Sequence, residues 1–172
     1  PSTVPGEQAS ATQPIPSKPP PFDRQGVTVD DLIDFTPELR EQARAEWSKY
    51  RLGPLYTPPS LQGTVMRPGV IGGANWGGGA FDPETGMLYV PSRNAYGVVK
   101  LGVPETALDS NLLYMQQPGR NPQMPDGLPL FKPPYSRLTA IDMNTGDHAW
   151  MVPAGNGDRI RNSPRLKGLN LP

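Results

Sequence analysis

Cysteine is absent from this chain, which excludes disulfide cross-links, zinc ribbons, c-type haem attachment and thiol nucleophiles. Histidine occurs once, as His148, so no multi-histidine metal site can be built from the chain itself. No apolar run approaches the roughly 20 residues that a transmembrane helix needs. Lys and Arg number 16 and so do Asp and Glu; without a basic excess or patch, no nucleic acid is expected as a partner. Leu, Ile, Val and Phe make up about a fifth of the chain, near the level at which chains stop burying a core of their own. The sequence opens on Pro1 with no charged-then-apolar leader behind it, so a signal sequence is read as absent or already removed. It stops at Leu171-Pro172 without a helix cap or polar tail, and both ends are read as cuts.

Turn formers are what the chain has in excess. It holds 24 Pro and 19 Gly among 172 residues, and they divide it into three regions. Residues 1–27 are proline-rich without apolar periodicity. Pro19-Pro20-Pro21 favours polyproline II, so this region is expected to be an extended arm lying across a larger partner surface. Residues 28–53 are the helical segment. Thr28-Val29-Asp30-Asp31 has the form of a capping box. Thr36-Pro37-Glu38 then supplies an N-cap, a proline at the first helical position and an acid at the positive helix end. Leu39, Ala43, Trp47 and Tyr50 share one face, which is expected to dock on strands, and Gly53-Pro54 is expected to end the helix. Residues 54–172 alternate short strands and turns and are read as partial propeller blades, an incomplete domain.

Within that last region the sequence predicts a strand over Leu61–Met66 and a strand, turn and strand from Gly78 to Pro91. Residues 100–136 are expected to be a long ordered excursion, and a second hairpin spans Arg137–Pro153. The two hairpins are related. Ala80, Asp82, Thr85 and Gly86 recur as Ala140, Asp142, Thr145 and Gly146 at a constant offset of 60. Asp accepts backbone N–H bonds in such a turn, and Gly supplies the positive φ that closes it. Repeated antiparallel hairpins suggest propeller blades. Asp82 and Asp142 are therefore read as turn residues rather than catalytic ones.

The second copy runs Ala140-Ile141-Asp142-Met143-Asn144-Thr145-Gly146-Asp147-His148-Ala149-Trp150, an A-x-D-x-x-x-G-x-x-x-W pattern. It resembles the tryptophan-docking motif of the pyrroloquinoline quinone (PQQ) dehydrogenases; the first hairpin has Val90 in place of the Trp. Tyr56-Thr57-Pro58-Pro59-Ser60, Gln62-Gly63-Thr64, Pro68-Gly69 and Gly72-Gly73-Ala74-Asn75-Trp76-Gly77-Gly78 resemble the late-blade region of the membrane-type glucose, quinate and polyol dehydrogenases. The resemblance covers residues 22–166, least well over 91–136. It implies an all-β fold, part of an eight-bladed β-propeller with one short docking helix and a long proline-rich arm.

It also implies oxidation of a sugar, polyol or other alcohol by hydride transfer to PQQ, in the periplasm, with any membrane attachment made through polypeptide not present here. A divalent metal, calcium or magnesium, would act as Lewis acid beside an Asp base. The resemblance places both the metal ligands and that base outside this chain, so no catalytic or metal-ligating residue is named. Asn75 and Trp76 are the candidate cofactor-binding residues: an amide with donor and acceptor, and an indole plane. The other reading of the same residues is a turn in which Asn75 caps backbone and Trp76 fills core. The implied partners are the remaining propeller polypeptide, an alcohol or sugar substrate, and a quinone or cytochrome electron acceptor. Two other readings compete. A non-catalytic scaffold similar to the PQQ-repeat lipoproteins of outer-membrane assembly explains the hairpins but not the Asn75-Trp76 segment. A proline-rich interaction module explains residues 1–53 alone.

The low apolar content and the small number of hairpins predict that the chain is not an autonomous domain, since a closed propeller needs about four blades or more. Expressed alone, it is expected to unfold without a cooperative calorimetric transition. A sharp melt of the isolated monomer would contradict this.

Overall fold

The computed structural model describes residues 2–8, 10–106, 110–118 and 121–171. Its main sheet has four antiparallel strands in the order β2-β3-β6-β7: β2 Ala80–Asp82, β3 Met87–Arg93, β6 Ser136–Asp142 and β7 Asp147–Pro153. Local turn chemistry makes both hairpins. The Asp82 carboxylate accepts the Glu84 N–H at 3.0 Å and the Thr85 hydroxyl at 2.6 Å. Asp142 accepts the Asn144 N–H at 2.8 Å. Gly86 and Gly146 take φ of 71° and 73°, a region that L side chains avoid. The Thr85 and Glu84 bonds hold the Asp82 carboxyl below its ordinary pKa; both are spent on the turn.

The sequence repeat does not build two blades, however. β3 and β6 pair over seven positions, from Met87↔Asp142 to Arg93↔Ser136. The two hairpins are thus the inner and outer halves of a single four-stranded blade, clasped at their turns by the Met143 N–H on Gly86 O at 2.9 Å. A strand face still offering a full hydrogen-bond ladder pairs with the nearest compatible strand of the same chain. Trp150 lies across from Ala140 and meets the Tyr89 ring at a centroid distance of 5.8 Å.

The proline-rich arm crosses this chain's own blade. Pro20 O contacts His148 Nε2 at 3.0 Å, and Phe22 O accepts the Thr139 hydroxyl at 3.3 Å. Lys18 bridges to Asp147 at 2.9 Å, an exposed pair that contributes little. His148, in the outermost strand, is therefore a contact for the arm.

The helix α1, Pro37–Trp47, is capped as its sequence predicts, with Thr36 Oγ1 accepting the Leu39 N–H at 3.2 Å. It stops at Trp47 and not at Gly53. Arg51 is recruited into non-local pairing, donating its N–H to Gly63 O at 2.8 Å and accepting the Val65 N–H at 2.9 Å. Those bonds are incompatible with further helical turns. The buried helix face is Leu39 and Ala43, while Trp47 and Tyr50 are only partly buried.

Its partners are mostly not strands. The core around α1 contains Leu32, Ile33, Met124, Leu128, Leu130, Phe131, Ile160 and Leu166, with Val65 from β1 (Thr64–Met66) as the strand contribution. The excursion therefore contributes Met124, Leu128, Leu130 and Phe131 to the main apolar core. Its 130–132 stretch pairs with residues 31–33, through Ile33 N on Leu130 O at 3.0 Å and Lys132 N on Asp31 O at 2.8 Å. The strand expected over 61–66 starts only at Thr64, because Gly63 N closes a turn onto Ser60 O at 3.1 Å. β1 pairs with β4, Gly97–Gly102, and β4 with β5, Met115–Gln117, in a second sheet. The sequence reading had assigned neither β4 nor β5.

A charged cluster joins arm, turn and blade. Arg67 reaches Asp31 at 2.8 Å, with side chains 4% and 17% exposed. Its Nε donates to Gly26 O at 2.8 Å, and it lies 5.7 Å above the Phe131 ring. Arg24 is 3.8 Å from Asp31 and donates to Pro133 O at 3.2 Å. Burial and the neighbouring Arg137 and Arg67 push its pKa down. Asp23 faces Arg137 at 3.8 Å in the blade.

Burial works against ionisation of Asp31, but Arg67 and the Thr28 N–H outweigh it and hold the carboxyl below its ordinary pKa. A depressed folded-state pKa gives stability that is complete above the unfolded value of about 4 and is lost as pH falls through the lower folded value. Acid unfolding of the complete protein should therefore begin below about pH 4, and Asp31→Asn should flatten that dependence. Arg67→Ala, which strands Asp31, should cost about 3–5 kcal/mol at neutral pH. A denaturant midpoint unmoved by Arg67→Ala would show that the pair is not structural.

Candidate cofactor loop

Residues 69–79 leave the second sheet and feed β2, an edge strand of the blade. The root of this loop is fixed to the chain that follows β3. Gly69 N donates to Ala95 O at 3.0 Å, Arg93 N donates to Gly73 O at 2.7 Å, and Gly72 N closes onto Gly69 O at 2.8 Å. At the far end Gly79 packs so tightly that a Cβ there would lie 2.9 Å from Tyr89 O. Between these anchors the loop projects: a Cβ on Gly77 or Gly78 would meet nothing within 4 Å.

At the tip, Asn75 builds the turn it sits in. Its Oδ1 accepts the Trp76 N–H at 2.9 Å, its Nδ2 donates to Ile71 O at 3.0 Å, and its carbonyl accepts the Gly78 N–H at 2.8 Å. One Nδ2 hydrogen remains unused. Trp76 does not fill core: it is 100% exposed. The capping half of the alternative reading is thus present in the structure, and the packing half is not. An indole held out on a backbone turn, with Val70 and Ile71 also exposed beside it, is unusual for a side chain with this much apolar surface.

A cavity of about 700 Å³ opens beside the loop root, between Gly69–Ile71 on one wall and Tyr96, Val98, Gln116 and Asn121 on the other. A planar aromatic cofactor fits what the loop offers: an uncovered ring, glycine backbone without Cβ groups, and a spare amide donor. Metal-binding groups are a different matter. Among the described residues no three or more His, Asp or Glu side chains gather to hold a cation.

Arg93 is exposed, and Asn94 ties the loop root to the excursion by donating from N to Tyr135 O at 2.9 Å and from Nδ2 to Pro134 O at 3.2 Å. A second cavity, of about 670 Å³, lies between Phe35, Pro133, Tyr135, Pro153, Ile160 and Leu171 and includes no residue of the 69–79 loop. Burial pushes the Tyr135 hydroxyl there up to about 12. The polar residues that sequence reading missed are Asp23 and Arg137. They are more than 110 positions apart in the sequence, and neither belongs to a recognisable motif; the adjacency of Asp23 to the proline-rich stretch was the single available signal.

Comparison with known proteins shows the family of the chain. Residues 1–172 match the family described as PQQ: glucose/ethanol/alcohol dehydrogenase, β-propeller domain. The chain is 30% identical over 171 residues to the quinate/shikimate dehydrogenase (quinone) of Acinetobacter baylyi, covering 88% of this chain and 21% of that protein. It is 26% identical over 180 residues to a probable quinate dehydrogenase (quinone) of Xanthomonas campestris pv. juglandis, covering 90% and 22%. It is 25% identical over 181 residues to the glycerol dehydrogenase large subunit of Gluconobacter oxydans, covering 90% and 24%. The chain thus spans between 21% and 24% of the length of these relatives, in keeping with one blade and its insertions. With its docking-motif blade, its glycine loop and a family match along its whole length, the chain belongs to the PQQ-dependent glucose/ethanol/alcohol dehydrogenase β-propeller family.

Proposed function

We propose that this chain supplies one blade and the cofactor loop of a periplasmic quinoprotein dehydrogenase that oxidises a sugar, polyol or other alcohol. The observation that carries the reading is the Asn75-Trp76 turn, an uncovered indole presented from a glycine loop that runs into the edge strand β2. The names of the relatives, quinate and glycerol dehydrogenases, support a hydroxylated small molecule as the substrate. They also favour a quinone as electron acceptor. Among the described residues no helix is long and apolar enough to cross a membrane.

In this reading Trp76 offers its plane and Asn75 its spare Nδ2 hydrogen to PQQ. Trp76 and Asn75 would hold PQQ there, and its ortho-quinone would supply the acceptor for a hydride equivalent from the alcohol. A donor at an oxygen that gains negative charge favours the reduced state over the starting one. Asn75 has a second duty, since its Oδ1 keeps the turn that holds Trp76 in place. The catalytic base and the ligands of a calcium or magnesium ion are assigned to polypeptide outside this chain.

Asn75→Asp keeps an acceptor for the Trp76 N–H but loses the spare donor together with the Nδ2 bond to Ile71 O. Backbone exchange over 72–79 is therefore compared with that of the wild-type protein to establish that the turn persists. In the complete enzyme, assayed with added PQQ and divalent metal, the variant should lower turnover by roughly one to two orders of magnitude, at about 1.4 kcal/mol per tenfold. Unchanged turnover would leave Asn75 a turn residue only. Purified protein that neither binds PQQ nor oxidises alcohols would favour the scaffold reading.

A further inference from the structure

The buried cluster beside the 69–79 loop contains a carboxylate oxygen without a partner, set against the backbone at the loop root. Asp23 is 7% exposed. Its Oδ1 accepts the Arg24 N–H at 2.7 Å and faces Arg137 at 3.8 Å. Its Oδ2 is buried without a partner. That oxygen lies 3.1 Å from the position a Cβ on Gly73 would occupy, so the absence of a side chain at Gly73 is what lets the carboxylate come this close. Gly73 is the root of the loop that carries Asn75 and Trp76. Its carbonyl is committed to Arg93, but among the described residues neither the Gly73 nor the Ala74 N–H has an acceptor. A buried carboxylate oxygen left without a donor is costly; Arg137 Nε, in the same cluster, is likewise buried without a partner, and the backbone nearest Oδ2 on the loop side is that of Gly73.

We propose that Asp23 is a latch for the cofactor loop: its Oδ2 accepts a backbone N–H at Gly73 or Ala74 when the loop engages a ligand, and so fixes the Asn75-Trp76 turn. Asp23 is a positioning residue, acting through the loop backbone and touching no substrate. The arm gains a role in this arrangement. Its contacts with β6 and β7 at Thr139 and His148 set the carboxylate against the blade, and Arg137 holds it from the blade side. The inference rests on the proposed reading of the loop as the cofactor contact.

The test uses the complete protein and follows backbone hydrogen exchange in the peptide spanning 72–79, with and without PQQ. The wild-type protein should gain protection there on adding PQQ. Asp23→Asn, which keeps the shape and the acceptor for Arg24 but presents an amide N–H or a weaker acceptor to the loop, should lose most of that gain. Its PQQ dissociation constant should rise about tenfold. Gly73→Ala places a Cβ against Oδ2 and should have the same effect without removing any charge, so it serves if Asp23→Asn fails to fold. Protection retained in a folded Asp23→Asn or Gly73→Ala protein would overturn the latch. Failure of the underlying reading shows differently: Trp76→Ala would then leave the PQQ dissociation constant unchanged, whatever Asp23→Asn does to loop exchange.

Discussion

Arg67 is the residue on which the arrangement of the other parts depends. Its guanidinium is bound at the same time to the Asp31 carboxylate, to Gly26 O and to the face of Phe131. These belong to the arm's end, the turn before α1 and the excursion. A charge so far removed from water is tolerated only when it is paired and hydrogen-bonded, so those segments are held in one mutual placement. Through Arg24 and Asp23 the same cluster extends to Arg137 in the blade. In a chain with this little apolar material, buried charges specify how loops meet where a larger core would do so in another protein.

That placement has a consequence for the cofactor loop. The loop is rooted on residues 93–95, which continue the central strand β3, and it ends at Gly79 against Tyr89 of the same strand. β3 is therefore the common base of the loop and of the blade's longest register. Between these anchors the tip is open: Trp76 is fully exposed and a Cβ on Gly77 or Gly78 would meet nothing within 4 Å. The same chain thus combines a rigid frame with a projecting indole, which is the combination a preorganised contact to a flat cofactor requires.

What could be read from the sequence was local. The D-x-x-T-G turns are determined by the carboxylate, the hydroxyl and the glycine within five residues, so both hairpins were legible down to Gly86 and Gly146. The start of α1 was legible from Thr36 and Pro37 for the same reason. Its end was not, because the bonds that stop it come from Gly63 and Val65, a dozen residues further on. Pairing between the two hairpins was likewise hidden: identical turns carry no information about whether the strands they join lie in one sheet or in two. The excursion was legible as ordered but not as a source of core, because its apolar residues, Met124, Leu128, Leu130 and Phe131, have neither strand nor helix periodicity; they are buried in one cluster with Leu39 and Ala43. At the 69–79 loop the residue types and the tight turn were legible, while the exposure of Trp76 and the approach of Asp23 to Gly73 depend on contacts across the chain.

The central claim is that Trp76 and Asn75 face PQQ in the assembled propeller. A structure of the complete protein with PQQ bound tests it most directly. The account predicts the Trp76 indole in van der Waals contact with the cofactor, at about 4 Å, with the Asn75 amide turned toward a cofactor oxygen. A cofactor bound on the propeller axis with Trp76 packed instead into a neighbouring blade, out of contact with it, would contradict the account.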